Sequence, residues 1–252
     1  MSYLQENLSE IQENIARAAE KSNRRPEDIT LVAVTKTVPL DRIQEAFNLG
    51  VTNFGENRVQ EFLTKYEYFK QDHFKQDHPE QNTCNQNVNL TGPNSSPTWH
   101  MIGHLQTNKV RQIVEKVALI HSVDSLRLAE EIDKRAKGHN LKVDILIEIN
   151  IAEEDTKQGI KPKETAFLIE QIQHLPNICT KGLMCIAPYV EDSEQNRIYF
   201  EKMKRLFIDI QGKCLHNVDM RFLSMGMTGD YQVAIEEGAN IVRVGTGLFG
   251  SR

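Results

Sequence analysis

Lys36 closes a short apolar run, Leu31-Val32-Ala33-Val34-Thr35-Lys36, whose composition reads as a buried β-strand. A lysine at the C-terminal end of an inner strand is costly unless something uses it. Burial disfavours the ammonium, and the neutral amine is a nucleophile that condenses with aldehydes. Two glycine-rich segments follow near the C-terminus, Ser224-Met225-Gly226-Met227-Thr228-Gly229 and Val244-Gly245-Thr246-Gly247. Glycine lets the backbone approach an anion, and serine or threonine adds a hydroxyl donor. Each segment alone is compatible with an ordinary turn; as a pair they suit a phosphate. An amine for an aldehyde, together with loops for a phosphate, points to a lysine that holds pyridoxal phosphate.

Other polar residues could complete such a site. Arg243 lies between Val242 and Val244, so strand alternation puts it on the opposite face from both valines. If the valines face outer helices, the guanidinium points inward and needs a partner. Two partners suit it: an aromatic ring nitrogen of a ligand, kept unprotonated by the cation, or a carboxylate such as Glu148. Asn57, after Gly55 and Glu56, can donate to a ligand oxygen, cap a following helix, or do both. His100 and His104 flank an expected strand and are candidates for acid–base work, although lone histidines are more often structural. His73, His78 and Cys84 lack a second well-spaced pair, so a solvated loop accounts for them better than a metal does.

The elements that must position these residues alternate between helical and strand patterns. Leu4, Leu8, Ile11, Ile15 and Ala19 recur at helical spacing, which predicts an N-terminal helix. Strands are predicted at 29–36, 51–54, 99–102, 118–123, 143–149, 179–187, 221–224 and 241–244, with Gly55 ending the second. Helical segments separate them. This is the pattern of a (β/α)8 TIM barrel with an extra N-terminal helix outside it. A doubly wound open sheet is the competing architecture. The strand count, and phosphate-type loops after both of the last two strands, favour the barrel. Residues from about 71 to 98 are polar, with Phe-Lys-Gln-Asp-His repeated in tandem, and read as a flexible surface insertion.

A chain of 252 residues, 39% hydrophobic and 26% charged, suits a single barrel domain spanning 1–252. Its net charge of −5 argues against nucleic acid held by electrostatics. There is no apolar run of membrane-spanning length, and the Glu- and Gln-rich N-terminus is unlike a signal or transit peptide. The four cysteines, Cys84, Cys179, Cys185 and Cys214, form no CxxC pair, which fits reduced thiols in a cytoplasm.

The motifs, taken in order, resemble those of the pyridoxal phosphate homeostasis proteins, single-domain barrels similar to alanine racemase. They are Ala33-Val34-Thr35-Lys36 with Pro39; Phe54-Gly55-Glu56-Asn57 with Gln60-Glu61; and His100-Met101-Ile102-Gly103 with Leu105-Gln106 and Asn108-Lys109. Further along come Asn150 with Lys157 and Gly159; Gly182-Leu183-Met184; Ser224-Met225-Gly226-Met227 with Asp230; and Val242-Arg243-Val244-Gly245-Thr246 with Phe249-Gly250. The resemblance covers roughly residues 1–66 and 98–252. It implies that Lys36 holds pyridoxal 5'-phosphate as an internal aldimine. It also implies that Ser224, the backbone after Gly226 at Met227, Gly245 and Thr246 hold the phosphate. Asn57 would lie near the ring, and Arg243 near the pyridine nitrogen or the phosphate. Thr35 and Thr228 stand where the family more usually has serine, which keeps both hydroxyls.

Two-domain alanine racemases add a β-domain whose tyrosine reaches the partner's site, whereas this chain stops at Arg252 soon after its last strand. The expectation is therefore a monomeric carrier without strong catalysis of its own. It would store the cofactor, deliver it to pyridoxal-phosphate-dependent apoenzymes, and so influence amino-acid and keto-acid balance. Three competitors remain at the level of sequence. One is an amino-acid racemase using Lys36 or His104 as base. Another is a cofactor-free Schiff-base aldolase acting on a sugar phosphate. The third is a regulatory protein that works through its outer helices and the polar loop.

Overall fold

The computed structural model describes residues 2–73 and 96–250. Eight parallel strands close into a barrel in sequence order. They are β1 (Thr30–Val34), β2 (Asn53–Glu56), β3 (Thr98–Met101), β4 (Leu119–Val123), β5 (Val143–Ile149), β6 (Ile178–Cys185), β7 (Val218–Met227) and β8 (Ile241–Val244). β8 pairs back onto β1 with Val32 opposite Arg243. The helices are α1 (Tyr3–Lys21), α2 (Leu40–Asn48), α3 (Val59–His73), α4 (Val110–Ile113), α5 (Leu126–Gly138), α6 (Thr165–Ile172), α7 (Arg197–Gln211), α8 (Tyr231–Glu236) and α9 (Thr246–Phe249). The expected (β/α)8 barrel is the fold observed.

Alternation along the strands separates two cores. Val32, Leu119, Leu146, Met184 and Ile241 fill the barrel interior. Val242, Val244 and the apolar helix faces pack in the shell between barrel and helices. α1 joins that shell through Leu4, Leu8, Ile11 and Ile15, which share one face at helical spacing. The Ser2 hydroxyl accepts from the backbone N–H of Gln5 and starts the helix. None of the described helices is long and apolar enough to cross a membrane.

Several boundaries differ from the sequence expectation, each for a local reason. β1 ends at Val34, and Lys36 sits in the turn beyond it with an exposed side chain. The turn is closed by Val38 N donating to Thr35 O at 2.9 Å, with Thr37 in the left-handed region at φ 59°. Lys36 is therefore not enclosed at an inner strand end, and desolvation is not the reason for its presence. Gly55 lies within β2 instead of ending it. A Cβ there would come within 2.8 Å of Ile102 Cδ1 and 2.9 Å of Val32 Cγ1, so the glycine answers to interior crowding. β7 runs on through Ser224, Met225, Gly226 and Met227, and the loop expected there begins only at Thr228.

At the polar stretch, residues 71–73 extend α3 and Thr98 opens β3, so both its ends are regular structure. Its remainder, and the side chains of the candidate ligands His73, His78 and Cys84, lie outside what the structure describes. The short helix α9 was not expected.

Candidate functional site

A cleft of about 520 Å³ opens at the C-terminal ends of β1, β6, β7 and β8. Lys36, Arg243, Thr228, Gly245 and Thr246 line it, facing an apolar wall that includes Ile186, Pro188, Tyr189 and Met227. It occupies the barrel face where loops carry chemistry.

The turn bearing Lys36 is fastened on both sides. Thr35 Oγ1 donates to Glu56 Oε1 at 2.5 Å, and Lys65 Nζ donates to Thr35 O at 2.6 Å. Lys65 also pairs with Glu56 at 2.5 Å, and both side chains are buried. On the other flank, Thr37 N donates to Glu61 Oε2 at 2.7 Å. Burial pushes the Glu56 carboxyl upward, while the hydrogen bonds from Lys65 and Thr35 act in the opposite direction.

Across the cleft, Thr228 Oγ1 lies 3.2 Å from Thr246 Oγ1 and accepts from Gly247 N at 3.2 Å. Asp230 fixes this corner: Oδ1 accepts from Met227 N at 2.7 Å and Oδ2 from Asn196 Nδ2 at 2.9 Å. Two hydroxyls and a glycine backbone thus converge at one end of the cleft, a donor set suited to a phosphate. At the inner end Arg243 is buried, as alternation required. Its Nη1 donates to Ser224 Oγ at 2.6 Å and its Nη2 to Cys185 O at 2.8 Å. Burial lowers its pKa from the ordinary arginine value. Glu148, the carboxylate considered as its partner, forms no ion pair with it. Amine, phosphate-type donors and a cation within one cleft of this size fit a phosphorylated aromatic aldehyde.

The sequence pattern of the alanine racemase N-terminal domain family matches residues 7–252. A pyridoxal phosphate homeostasis protein of Aquifex aeolicus is 44% identical, over 98% of this chain and 97% of its own. The chain belongs to the pyridoxal phosphate homeostasis protein family. Among solved structures, a Bifidobacterium adolescentis protein of unknown role superimposes with TM-score 0.85 at 33% identity, covering 98% of this chain and 94% of its own. PipY of Synechococcus elongatus PCC7942, solved with PLP bound, gives TM-score 0.77 at 30% identity, covering 98% of this chain and 100% of its own.

In this homeostasis-family chain the residues singled out from sequence as cofactor contacts fall into three places. Lys36, Met227, Arg243, Gly245 and Thr246 share the cleft. Ser224 and Gly226 lie in β7 behind it: Ser224 is fully buried, its hydroxyl engaged by Arg243 and 3.0 Å from His121 Nδ1. Asn57 follows β2, pressed against Gly103, where a Cβ would sit 2.6 Å from the Asn57 backbone. Its Oδ1 is buried without a hydrogen-bond partner, an acceptor open to a ligand donor. His104 is exposed beside Asp124 at 3.8 Å and is no part of the cleft wall. His100 is buried inside the barrel.

Thr228, Lys157 and Tyr189 are among the cleft residues to which the sequence assigns no role. Thr228 stands in a glycine-rich segment whose phosphate contact the family resemblance places on Ser224 and the backbone after Gly226. Lys157, whose Nζ donates to Ala187 O at 3.3 Å, belongs to the motif with Asn150 and Gly159 but has no role assigned there, and Tyr189, almost fully exposed, comes from a loop with no spacing signal.

Proposed function

We propose that this chain binds pyridoxal 5'-phosphate on Lys36 and acts in pyridoxal phosphate homeostasis as a carrier. The observation that carries the reading is that the exposed Lys36 amine shares one cleft with Arg243 and the Thr228–Thr246 hydroxyl pair. When bound, the cofactor supplies an aldehyde and an electron-accepting ring. The chain supplies the rest. Lys36 offers the amine. Thr228, Thr246 and the backbone at Met227 and at Gly245 would receive the phosphate. Arg243 would present its cation to the ring, and Asn57, whose Oδ1 is buried without a partner, would lie near it. Gly226 and Ser224 act behind the wall, Gly226 by letting β7 pass close against α8 and Ser224 by holding Arg243.

A carrier is favoured over an enzyme because the lysine is exposed. Other amines can reach it, and exchange onto an apoenzyme needs that access. The homeostasis names of the relatives support the same reading. Pyridoxal-phosphate-dependent apoenzymes are the recipients in this proposal, and the carrier works as a cytoplasmic monomer.

The absorbance spectra of the purified protein and of Lys36→Ala, each with added pyridoxal phosphate, test it. A cofactor band in the wild type that the variant cannot form is expected. A wild type that gains no band would overturn the reading and favour a cofactor-free Schiff-base aldolase.

A further inference from the structure

Five buried side chains form one hydrogen-bonded line through the barrel interior, from β8 to β2. Arg243 Nη1 donates to Ser224 Oγ at 2.6 Å, and Ser224 Oγ lies 3.0 Å from His121 Nδ1. His121 Nε2 is 3.0 Å from His100 Nδ1, and His100 Nε2 is 3.0 Å from Asn53 Oδ1. All five side chains are buried.

The positions of the protons follow from the two ends. Arginine only donates, so Ser224 Oγ accepts there and keeps its single proton for His121. At the far end Asn53 Nδ2 donates to Thr52 Oγ1 at 3.1 Å, which turns Oδ1 toward His100. His100 must then carry its proton on Nε2. Burial keeps both rings neutral: it pushes His100 down to about 3 and His121 well below its ordinary value, with repulsion from His100 and Arg243 adding to the latter. A neutral imidazole has one N–H, so His100 accepts at Nδ1. His121 therefore donates from Nε2 and accepts at Nδ1 from the Ser224 hydroxyl. Every proton points the same way, from Arg243 through Ser224, His121 and His100 to Asn53.

Two consequences reach the cleft. The Ser224 hydroxyl proton is committed inward and is not offered to a ligand. Arg243 is held at two points, Ser224 Oγ and Cys185 O, by groups that carry no charge. Among the described residues no carboxylate forms an ion pair with it, so its positive charge remains available to whatever fills the cleft.

We propose that His121 and His100 are positioning residues that, acting through Ser224, hold the Arg243 guanidinium in one orientation toward the cleft, where it presents a cation to an uncharged aromatic ring nitrogen. The identity of the ligand rests on the pyridoxal phosphate reading; the positioning does not.

The test uses the 15N-labelled, cofactor-free protein. Nuclear magnetic resonance should find both imidazoles neutral with the proton on Nε2, and separate Arg243 Nη1 and Nη2 signals because guanidinium rotation is hindered. Ser224→Ala should merge those signals and Ser224→Thr should restore them. Loss of one such bond should also weaken pyridoxal phosphate binding by roughly tenfold in Ser224→Ala. A charged or Nδ1-protonated His121 in the wild type would overturn the proposal, and this measurement needs no variant to fold. Separate Arg243 signals in a folded Ser224→Ala would overturn it as well. Should the wild type show the expected tautomers and a held Arg243 yet bind no pyridoxal phosphate, the positioning stands and only the ligand falls.

Discussion

Lys65 Nζ donates to the carbonyl oxygen of Thr35 at 2.6 Å, so a buried cation on α3 grips the backbone next to Lys36. The same ammonium pairs with the buried Glu56 carboxylate, whose Oε1 also accepts from Thr35 Oγ1 at 2.5 Å. Removing one partner of a buried ion pair leaves an uncompensated charge, at about 3–5 kcal/mol. Lys65→Met should therefore lower the urea-unfolding free energy by about that amount. Adding Glu56→Gln should recover part of the loss, because the orphaned carboxylate is gone. Borohydride trapping of pyridoxal on Lys36 should slow in the single variant as the turn loosens. Equal stability of Lys65→Met and wild type would refute the role of this pair.

The hydroxyls of Thr228 and Thr246 meet at 3.2 Å on the cleft wall. If they receive a phosphate, each contributes one neutral hydrogen bond, worth about 1 kcal/mol. Thr228→Ala and Thr246→Ala should each raise the Kd for pyridoxal phosphate about five- to tenfold. Binding of pyridoxal, which lacks the phosphate, should stay unchanged in both. Equal losses for the two ligands would place the threonines elsewhere on the cofactor. Fluorescence titration of both ligands against both variants makes the comparison.

How far the sequence was legible depended on how local each signal was. β5 and β8 fall where apolar runs put them, and alternation sets Arg243 opposite Val242 and Val244, which the fold places in the outer shell, so the guanidinium points inward. β7 was cut short because Gly226 reads as punctuation, although its φ of 90° is accommodated inside the strand. With β7 running to Met227, Ser224 lies inside the strand and Thr228 is the first loop residue on the cleft. Lys36 does lie on the cleft, but exposed in a turn instead of buried at a strand end. His121 carried no motif. It sits in the apolar run Leu119-Ile120-His121-Ser122-Val123, where alternation with Leu119 places it inside the barrel, and only its partners His100 on β3 and Ser224 on β7 give it a role.

Gly226 meets two demands at once, a φ of 90° and contact with α8. A Cβ would lie 2.6 Å from Ala234 Cβ and 2.8 Å from Tyr231 Cα, and the Tyr231 backbone cannot move aside cheaply. Gly226→Ala should thus cost about 1–3 kcal/mol from overpacking, with backbone strain in addition. Because Thr228 is two residues further on, pyridoxal phosphate affinity should fall in the protein that remains folded. Thermal denaturation and titration of the same sample separate the two effects. An unchanged melting temperature would show that β7 and α8 can part without penalty.

Glu148 gives a pH dependence that can be worked out by sign. Burial is the largest influence on its carboxyl and Asp124 adds to it, while Arg243 opposes; together they push it up to about 7 from an ordinary 4.5. The unfolded chain releases this proton at the lower value, while the folded chain keeps it until the higher one. The group's contribution to stability is thus fully present below about pH 4.5 and is lost as pH rises through about 7. Above that window the buried charge costs up to about 3 kcal/mol. Glutamine has nearly the same shape and does not titrate. The unfolding free energy of Glu148→Gln should therefore decline less than that of the wild type across this window, with the two diverging as pH rises. Urea melts at matched pH values measure the difference, and parallel curves would show that Glu148 is already ionised in the folded barrel at the lower end of the range.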